Sequence, residues 1–310
     1  MPDLVSSALR RTLGAVAAAG AAATVWGTLI ERTAFTLRTA TVPILPAGAE
    51  PITVLHLSDL HMAPWQRRKQ KWVSDLVALQ PDLIVDTGDN LGHAEGLLGI
   101  RAAFAGFEGI PGVYVWGSND YFGPQAKNPL RYFGDVSQTP ANPQLLDLDA
   151  LEGAFTGLGW QSLNNRATTL QIKGLTLELF GVDDPHRRFD RIDEMDASLD
   201  GVRSAGPAAD VSIGVAHAPY RRVLDGFAAR GADAILAGHT HGGQVCVPGY
   251  GALVTNCDIP REQVKGLSIW DDGSSSSWLN VSAGLGTSIY APIRFACRPE
   301  ASFLTLIPSS

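Results

Sequence analysis

Short apolar runs alternate with helical patterns along this chain, and several of the runs end in a loop that carries Asp, Asn or His. Residues 52–57, 83–85 and 113–116 are such runs. Residues 66–79 separate the first two and place Trp72, Val73, Leu76, Val77 and Leu79 on one helical face; a second helical pattern, 97–107, precedes the third run. Strand, helix, strand, helix, strand at this spacing predicts parallel βαβ units, so the chain is of the α/β class. Residues 211–216 and 234–237 read as further buried strands with a helix over 220–229 between them. Residues 168–172 and 175–180 flank Lys173-Gly174 as a hairpin would. From residue 244 onward the pattern is all-β, with strands over 244–247, 266–270, 278–281 and 303–307 and a polar turn at 271–277. Residues 123–149, rich in Pro, Asn and Gly, predict a long surface excursion. No repeat or linker divides the stretch 51–310, which is expected to form one domain.

The start of the chain differs in kind. Residues 13–30 are uncharged and Ala-rich, just long enough for a membrane span, and Arg10 and Arg11 precede them. Residues 1–50 are therefore expected to be a membrane anchor or export signal plus a Pro-rich connector over 42–51; the alternative is a packed Ala-rich helix. With the arginines inside, the remainder faces outward, which predicts a membrane-associated protein with an extracytoplasmic domain. Of the 310 residues, 45% are hydrophobic and 18% charged, a globular composition with net charge −7. That balance argues against a broad grip on nucleic acid, although bound cations would reverse the field locally. The cysteines Cys246, Cys257 and Cys297 lack metal-site spacing. Cys246 and Cys257 flank a Pro-Gly-Tyr-Gly turn and read either as a disulfide or as two half-buried thiols.

Five fragments carry the chemistry. Asp59-Leu60-His61 follows the first strand, and an i, i+2 pair in extended backbone points one carboxylate and one imidazole to the same side. Gly88-Asp89 follows the second, where glycine permits a sharp turn and the carboxylate can bridge two cations. Gly117-Ser118-Asn119-Asp120 follows the third, offering a neutral amide oxygen. His217 and Gly238-His239-Thr240-His241 follow the strands at 211–216 and 234–237. Each fragment alone is a weak signal. Together they stand at the carboxyl ends of successive strands, where open α/β sheets gather ligands. Mixed carboxylate, imidazole and amide donors suit manganese, iron or zinc rather than calcium.

At these residues the sequence resembles the calcineurin-like metallophosphoesterase superfamily, whose pattern is D-x-H, G-D, G-N-H-[DE], a lone His, then G-H-x-H. The wording His56-Leu57-Ser58-Asp59-Leu60-His61, Gly238-His239-Thr240-His241-Gly242-Gly243-Gln244, Gly284-Leu285-Gly286-Thr287-Ser288 and Pro292-Ile293-Arg294 is similar to a bacterial branch of membrane-associated or exported phosphodiesterases. The resemblance runs from about Ile52 to the C-terminus. It implies a four-layer α/β/β/α sandwich of two mixed sheets with two divalent metal ions (Mn, Fe or Zn) at one edge. Asp59, His61, Asp89 and His241 would hold one ion; Asp89, Asn119, His217 and His239 would hold the other. The family's G-N-H-D reads here as Gly117-Ser118-Asn119-Asp120: aligned without a gap, Ser118 falls on the ligand asparagine, but an amide oxygen is the better neutral ligand and Asn119 is assigned. Either way the family's extra histidine, thought to help protonate the leaving group, is missing, which tilts the expectation from monoesters to diesters.

The expected function is hydrolysis of a phosphodiester, a lipid head group or cell-envelope compound, by a membrane-tethered enzyme. Two ions about 3.5–4 Å apart would make a bridging water a hydroxide near neutral pH for in-line attack, with Asp89 and Asn119 at the reacting centre. Two alternatives are a cyclic-nucleotide phosphodiesterase or nuclease, and a non-catalytic binding module that keeps the fold. Asp120 reads as an aid to protonation or as a solvated turn carboxylate. Arg294 reads as a contact to a substrate phosphate oxygen or as a salt-bridge partner. His56, inside the first strand, reads as a hydrogen-bonded core residue, and His93 as a loop residue that could face the cleft. Asp183 and Asp184 read as turn-formers before Pro185, and Arg67-Arg68-Lys69-Gln70-Lys71 as a solvated helix start or a contact to anionic lipid.

Overall fold

A computed structural model of the chain describes residues 2–125 and 143–309. Its strands are β1 (Thr36–Leu45), β2 (Ile52–Leu57), β3 (Leu83–Asp86), β4 (Gly112–Tyr114), β5 (Gln161–Ser162), β6 (Arg166–Ile172), β7 (Leu175–Gly181), β8 (Val211–Ala216), β9 (Ala234–Ala237), β10 (Cys246–Val247), β11 (Gly251–Ala252), β12 (Gly266–Asp271), β13 (Ser276–Val281) and β14 (Glu300–Pro308). Its helices are α1 (Pro2–Val25), α2 (Arg67–Asp75), α3 (Gly96–Ala103), α4 (Ser118–Tyr121), α5 (Leu148–Gly157), α6 (Ile192–Ala205) and α7 (Arg221–Ala229). One six-stranded sheet runs β1-β14-β2-β3-β4-β5, the other β12-β13-β9-β8-β7-β6, and both are mixed.

The period-2 alternation of the strands sorts their side chains into three cores. In β2, Leu55 and Leu57 face outward onto α2 and α3, beside Val73, Ile100 and Phe104. Ile52 and Val54 face inward and meet Val85, Leu177, Ile213 and Val215 between the sheets. On the far side Phe180, Ile235 and Leu279 pack against Met195 and Leu199 of α6 and Val223 and Phe227 of α7. Three cores between four layers make an α/β/β/α sandwich.

Most expected elements are present. The Lys173-Gly174 turn has both residues at positive φ, 49° and 80°, as a tight two-residue hairpin requires. Three expectations are corrected. Part of the stretch read as a connector lies inside β1, which pairs in parallel with β14 through residues 36–45 despite Pro43, placed as Pro must be on an edge strand. The strand at 244–247 shrinks to two residues. Helix α6 was unforeseen because its sequence mixes Asp, Gly and Ser among few apolar residues. Of the excursion at 123–149, residues 126–142 lie outside the described residues.

The N-terminal helix passes through a π turn at Trp26–Ile30, and the segment Arg10–Thr33 is long and apolar enough to cross a membrane. Leu13, Val16, Leu29 and Ile30 on it are exposed.

Candidate metal centre

The two sheets bring the carboxyl ends of β2, β3, β4, β8 and β9 to one edge, and backbone hydrogen bonds stitch the following loops together. Asp59 N donates to Gly88 O (2.8 Å) and His61 N to Asp89 O (2.9 Å); Gly238 N donates to His217 O (2.8 Å). His239 N donates to Asp59 Oδ2 (2.9 Å), which joins the loops of the two sheets directly. Asp59, His61, Asp89, His239 and His241 all hold left-handed backbone, with φ between 39° and 67°. Such residues cost on the order of 1 kcal/mol or more each and cluster where function over-determines the backbone. The flanking glycines are required by space. A Cβ on Gly117 would collide with Asp89 Oδ1, and one on Gly238 with Ser58 Oγ.

One group of donors is compact: ligand atoms of Asp59, His61, Asp89 and His241 all lie within 4.8 Å of one another. His61 Nε2 is 3.3 Å from His241 Nε2 and 3.5 Å from Asp89 Oδ2; His241 Nε2 is 3.6 Å from Asp59 Oδ1. At the other oxygen of Asp89, His217 Nε2 lies 3.5 Å from Oδ1 and His239 Nδ1 lies 3.2 Å from His217 Nε2; Asn119 donates to both oxygens, from N to Oδ1 at 2.8 Å and from Nδ2 to Oδ2 at 2.6 Å. All seven residues named from the sequence therefore come together, with Asp89 in the middle. At the third motif the Asn119 amide, and not Ser118, reaches Asp89; the Ser118 hydroxyl turns away and donates to Asp184 Oδ2 at 2.5 Å. Asn119 is the residue near the centre.

The residues fit a cation. Asp59 Oδ1 is buried and has no hydrogen-bond partner among the described residues, only the His241 ring at 3.6 Å. Burial pushes the Asp59 carboxyl up to about 6, with Asp89 adding to the shift and His217 opposing it. Against the effect of burial, His217 and His61 hold Asp89 well below the carboxylate range. Burial lowers His61 to about 4, and His239 and His241 well below their ordinary value, so these imidazoles are neutral donors. His217 is the exception: against burial, Asp89, Asp59 and Asp184 raise it to about 9, and the proton it holds is one that a cation would replace. Around the ring, His217 Nδ1 faces Thr87 O at 2.7 Å and His239 Nε2 faces Asn256 O at 3.1 Å, contacts that orient each imidazole.

Two site expectations are corrected. Asp120 is not solvated: it is fully buried and accepts from the backbone N–H groups of Asp89 (2.8 Å), Asn90 (2.8 Å) and Gly117 (2.9 Å). Burial and Asp89 push its carboxyl well above the ordinary range while those N–H groups pull it down. Arg294 neither faces the open cleft nor forms a salt bridge among the described residues. It is fully buried and donates to backbone carbonyls, from Nη2 to Ala283 and Gly286 (both 2.7 Å) and Gly284 (3.1 Å), and from Nη1 to His241 (3.3 Å).

The remaining polar residues sort as follows. His56 is a core histidine, hydrogen-bonded to Thr87 Oγ1 (3.0 Å) and Asn280 Nδ2 (2.9 Å). His93 is part-exposed and stacks edge-on against Trp65. The sequence reading missed the support beside the second motif set: Asp184 is fully buried against Ser118, His186 packs its ring 4.5 Å from His239, and its Nδ1 lies 2.9 Å from the Tyr220 hydroxyl. Their signal was positional, since they follow β7 at the same carboxyl edge as the motifs that were recognised. Cys246, Cys257 and Cys297 are free thiols, and Cys246 lies against Cys297 rather than Cys257.

Known proteins resemble this chain over most of its length. The chain is 28% identical over 281 residues to YpbG of Bacillus subtilis (strain 168), covering 87% of each. It is 23% identical over 287 residues to the metallophosphoesterase YkuE of the same organism, covering 90% of this chain and 86% of YkuE. Among solved structures it is similar to TT1561 of Thermus thermophilus, with a TM-score of 0.44, 14% identity and coverage of 76% of this chain and 91% of that one. The sequence model for calcineurin-like phosphoesterases matches residues 52–243, a span that takes in every loop of the Asp/His cluster just described. The chain is a member of the calcineurin-like phosphoesterase family.

Proposed function

We propose that this chain is a phosphodiesterase that works with two divalent ions, one held by Asp59, His61, Asp89 and His241, the other by Asp89, Asn119, His217 and His239. The observation that carries this reading is the convergence of the four donors of the first set within 4.8 Å, among them a carboxylate oxygen with no hydrogen-bond partner among the described residues. When bound, the ions would acidify an attacking water and neutralise charge on the phosphoryl group. Asp89 stands between the two donor sets and is the bridging candidate. Asn119, whose amide reaches Asp89, would set the orientation of that carboxylate. The third motif lacks the family's histidine, and both Asp120 oxygens accept from backbone N–H groups. That favours esters whose leaving group departs with little help.

The substrate class in this reading rests on the apolar segment Arg10–Thr33. A segment long and apolar enough to cross a membrane runs straight into β1 of the enzyme domain, which favours a lipid or cell-envelope phosphodiester and an extracytoplasmic site.

Purified full-length protein is expected to hold close to two transition-metal ions and to cleave bis-p-nitrophenyl phosphate faster than the monoester. Asp89→Ala or His239→Ala should lower kcat by a factor on the order of 10²–10³ or more. Two bound ions without turnover of any ester would defeat the enzymatic reading, and protein that binds no transition metal would defeat the site.

A further inference from the structure

The base of the N-terminal helix is joined to the back of the metal centre. The Glu31 side chain is buried; its Oε1 accepts from Cys297 N at 2.6 Å and its Oε2 from Trp26 Nε1 at 2.7 Å. One turn earlier, Arg294 N donates to Gly27 O at 3.1 Å, and a Cβ on Gly27 would lie 2.7 Å from Arg294 O. The helix base thus grips both ends of the segment 294–297. Arg294 carries the connection inward: its guanidinium ties the His241 carbonyl to those of Ala283, Gly284 and Gly286, and Gly286 N donates to Asp59 O at 2.6 Å. Cys297 Sγ also lies 3.3 Å from the His241 carbonyl.

We infer that Glu31 is a positioning residue for the metal centre: by fixing residues 294–297 against the helix base it holds Arg294, and through it the backbone that carries His241 and Asp59. The inference rests on the proposal that His241 and Asp59 are metal ligands. It assigns residues 26–31 a place in the working enzyme, beyond any role in targeting. The chemistry is that of an outer shell: a partner that touches no ion fixes the orientation of groups that do, and loss of such partners costs roughly 10–100-fold in metal affinity.

The test uses full-length protein in detergent, stripped with a chelator and titrated with Mn²⁺ by calorimetry. Glu31→Ala should weaken binding by roughly tenfold or more. Gly27→Ala, which drives a Cβ against Arg294 O at the same junction, should weaken it in the same direction and decides the matter if Glu31→Ala is unfolded by circular dichroism. Glu178→Gln is the control, because Glu178, on β7 away from the helix base, is also buried and in an ion pair with Arg203 of α6. It should lower thermal stability while leaving Mn²⁺ affinity within about twofold of the unmodified protein, since it orders no group near the ligands. If the Glu31 and Gly27 variants lose no more affinity than Glu178→Gln, the inference is overturned. If the unmodified protein binds no Mn²⁺, the metal-centre proposal itself fails, a separate outcome.

Discussion

At the scale of single residues, the Asp and His side chains that meet at the carboxyl edge of the sheets stand in short motifs. Asp-x-His, Gly-Asp and Gly-His-x-His are short patterns whose spacing survives without knowledge of the fold. Asp120 shows the opposite case, since its part depends on burial and on three backbone N–H groups from two loops that only the folded chain brings together. This separates two roles experimentally. Asp120→Asn replaces one acceptor oxygen by a donor against a backbone N–H, which costs roughly 1–3 kcal/mol and loosens the loop carrying Asp89. We expect a lower melting temperature, a reduced kcat, and a pH–rate profile of unchanged shape. Disappearance of the alkaline limb in that variant would show that Asp120 supplies a proton after all. Arg294 teaches the same lesson: its position in a family-like motif was visible, but its direction, into a nest of carbonyls, was not.

At the scale of elements, His56 links the two sheets, standing on β2 and bonding to Asn280 on β13 across the layer between them. Burial lowers its pKa to about 3, against about 6.5 when the chain is unfolded. The sign follows: between those values the unfolded chain binds the extra proton, so His56 contributes stability that is present above about pH 6.5 and lost as pH falls toward 3. The effect is on the order of a few kcal/mol. Urea denaturation of metal-free protein at about pH 7.5 and about pH 5, on either side of the unfolded pKa, should show a larger loss for the unmodified chain than for His56→Gln, which does not titrate. Equal losses would mean that His56 is already protonated in the fold. Strand positions such as β2, β8 and β9 were readable because they are predominantly apolar runs. β1 was not, because Thr36–Leu45 mixes Arg, Thr and Pro and becomes a strand only by lying along β14, which is distant in sequence.

At the scale of the whole molecule, the centre is a place where the fold accepts unfavourable terms that a cation would relieve. Five candidate ligands hold left-handed backbone, two carboxylates are buried within reach of each other, and the Asp59 Oδ1 atom has no hydrogen-bond partner among the described residues. Such a centre should link metal binding to stability. An ion at about a hundred times its Kd adds about 2.7 kcal/mol, which at roughly 2–4 °C per kcal/mol for a domain of this size raises the melting temperature by roughly 5–10 °C for each ion. Chelator-treated protein should therefore melt lower by roughly twice that amount, and Mn²⁺ should restore it. Asp59→Asn and His217→Ala then divide the effect. Each should abolish the part belonging to its own ion and leave the other, because the two sets share only Asp89. Asp89→Asn, by contrast, should remove nearly all of the metal-dependent shift. Equal, partial losses in all three variants would mean a single ion in a looser pocket, and the two-ion arrangement would have to be given up.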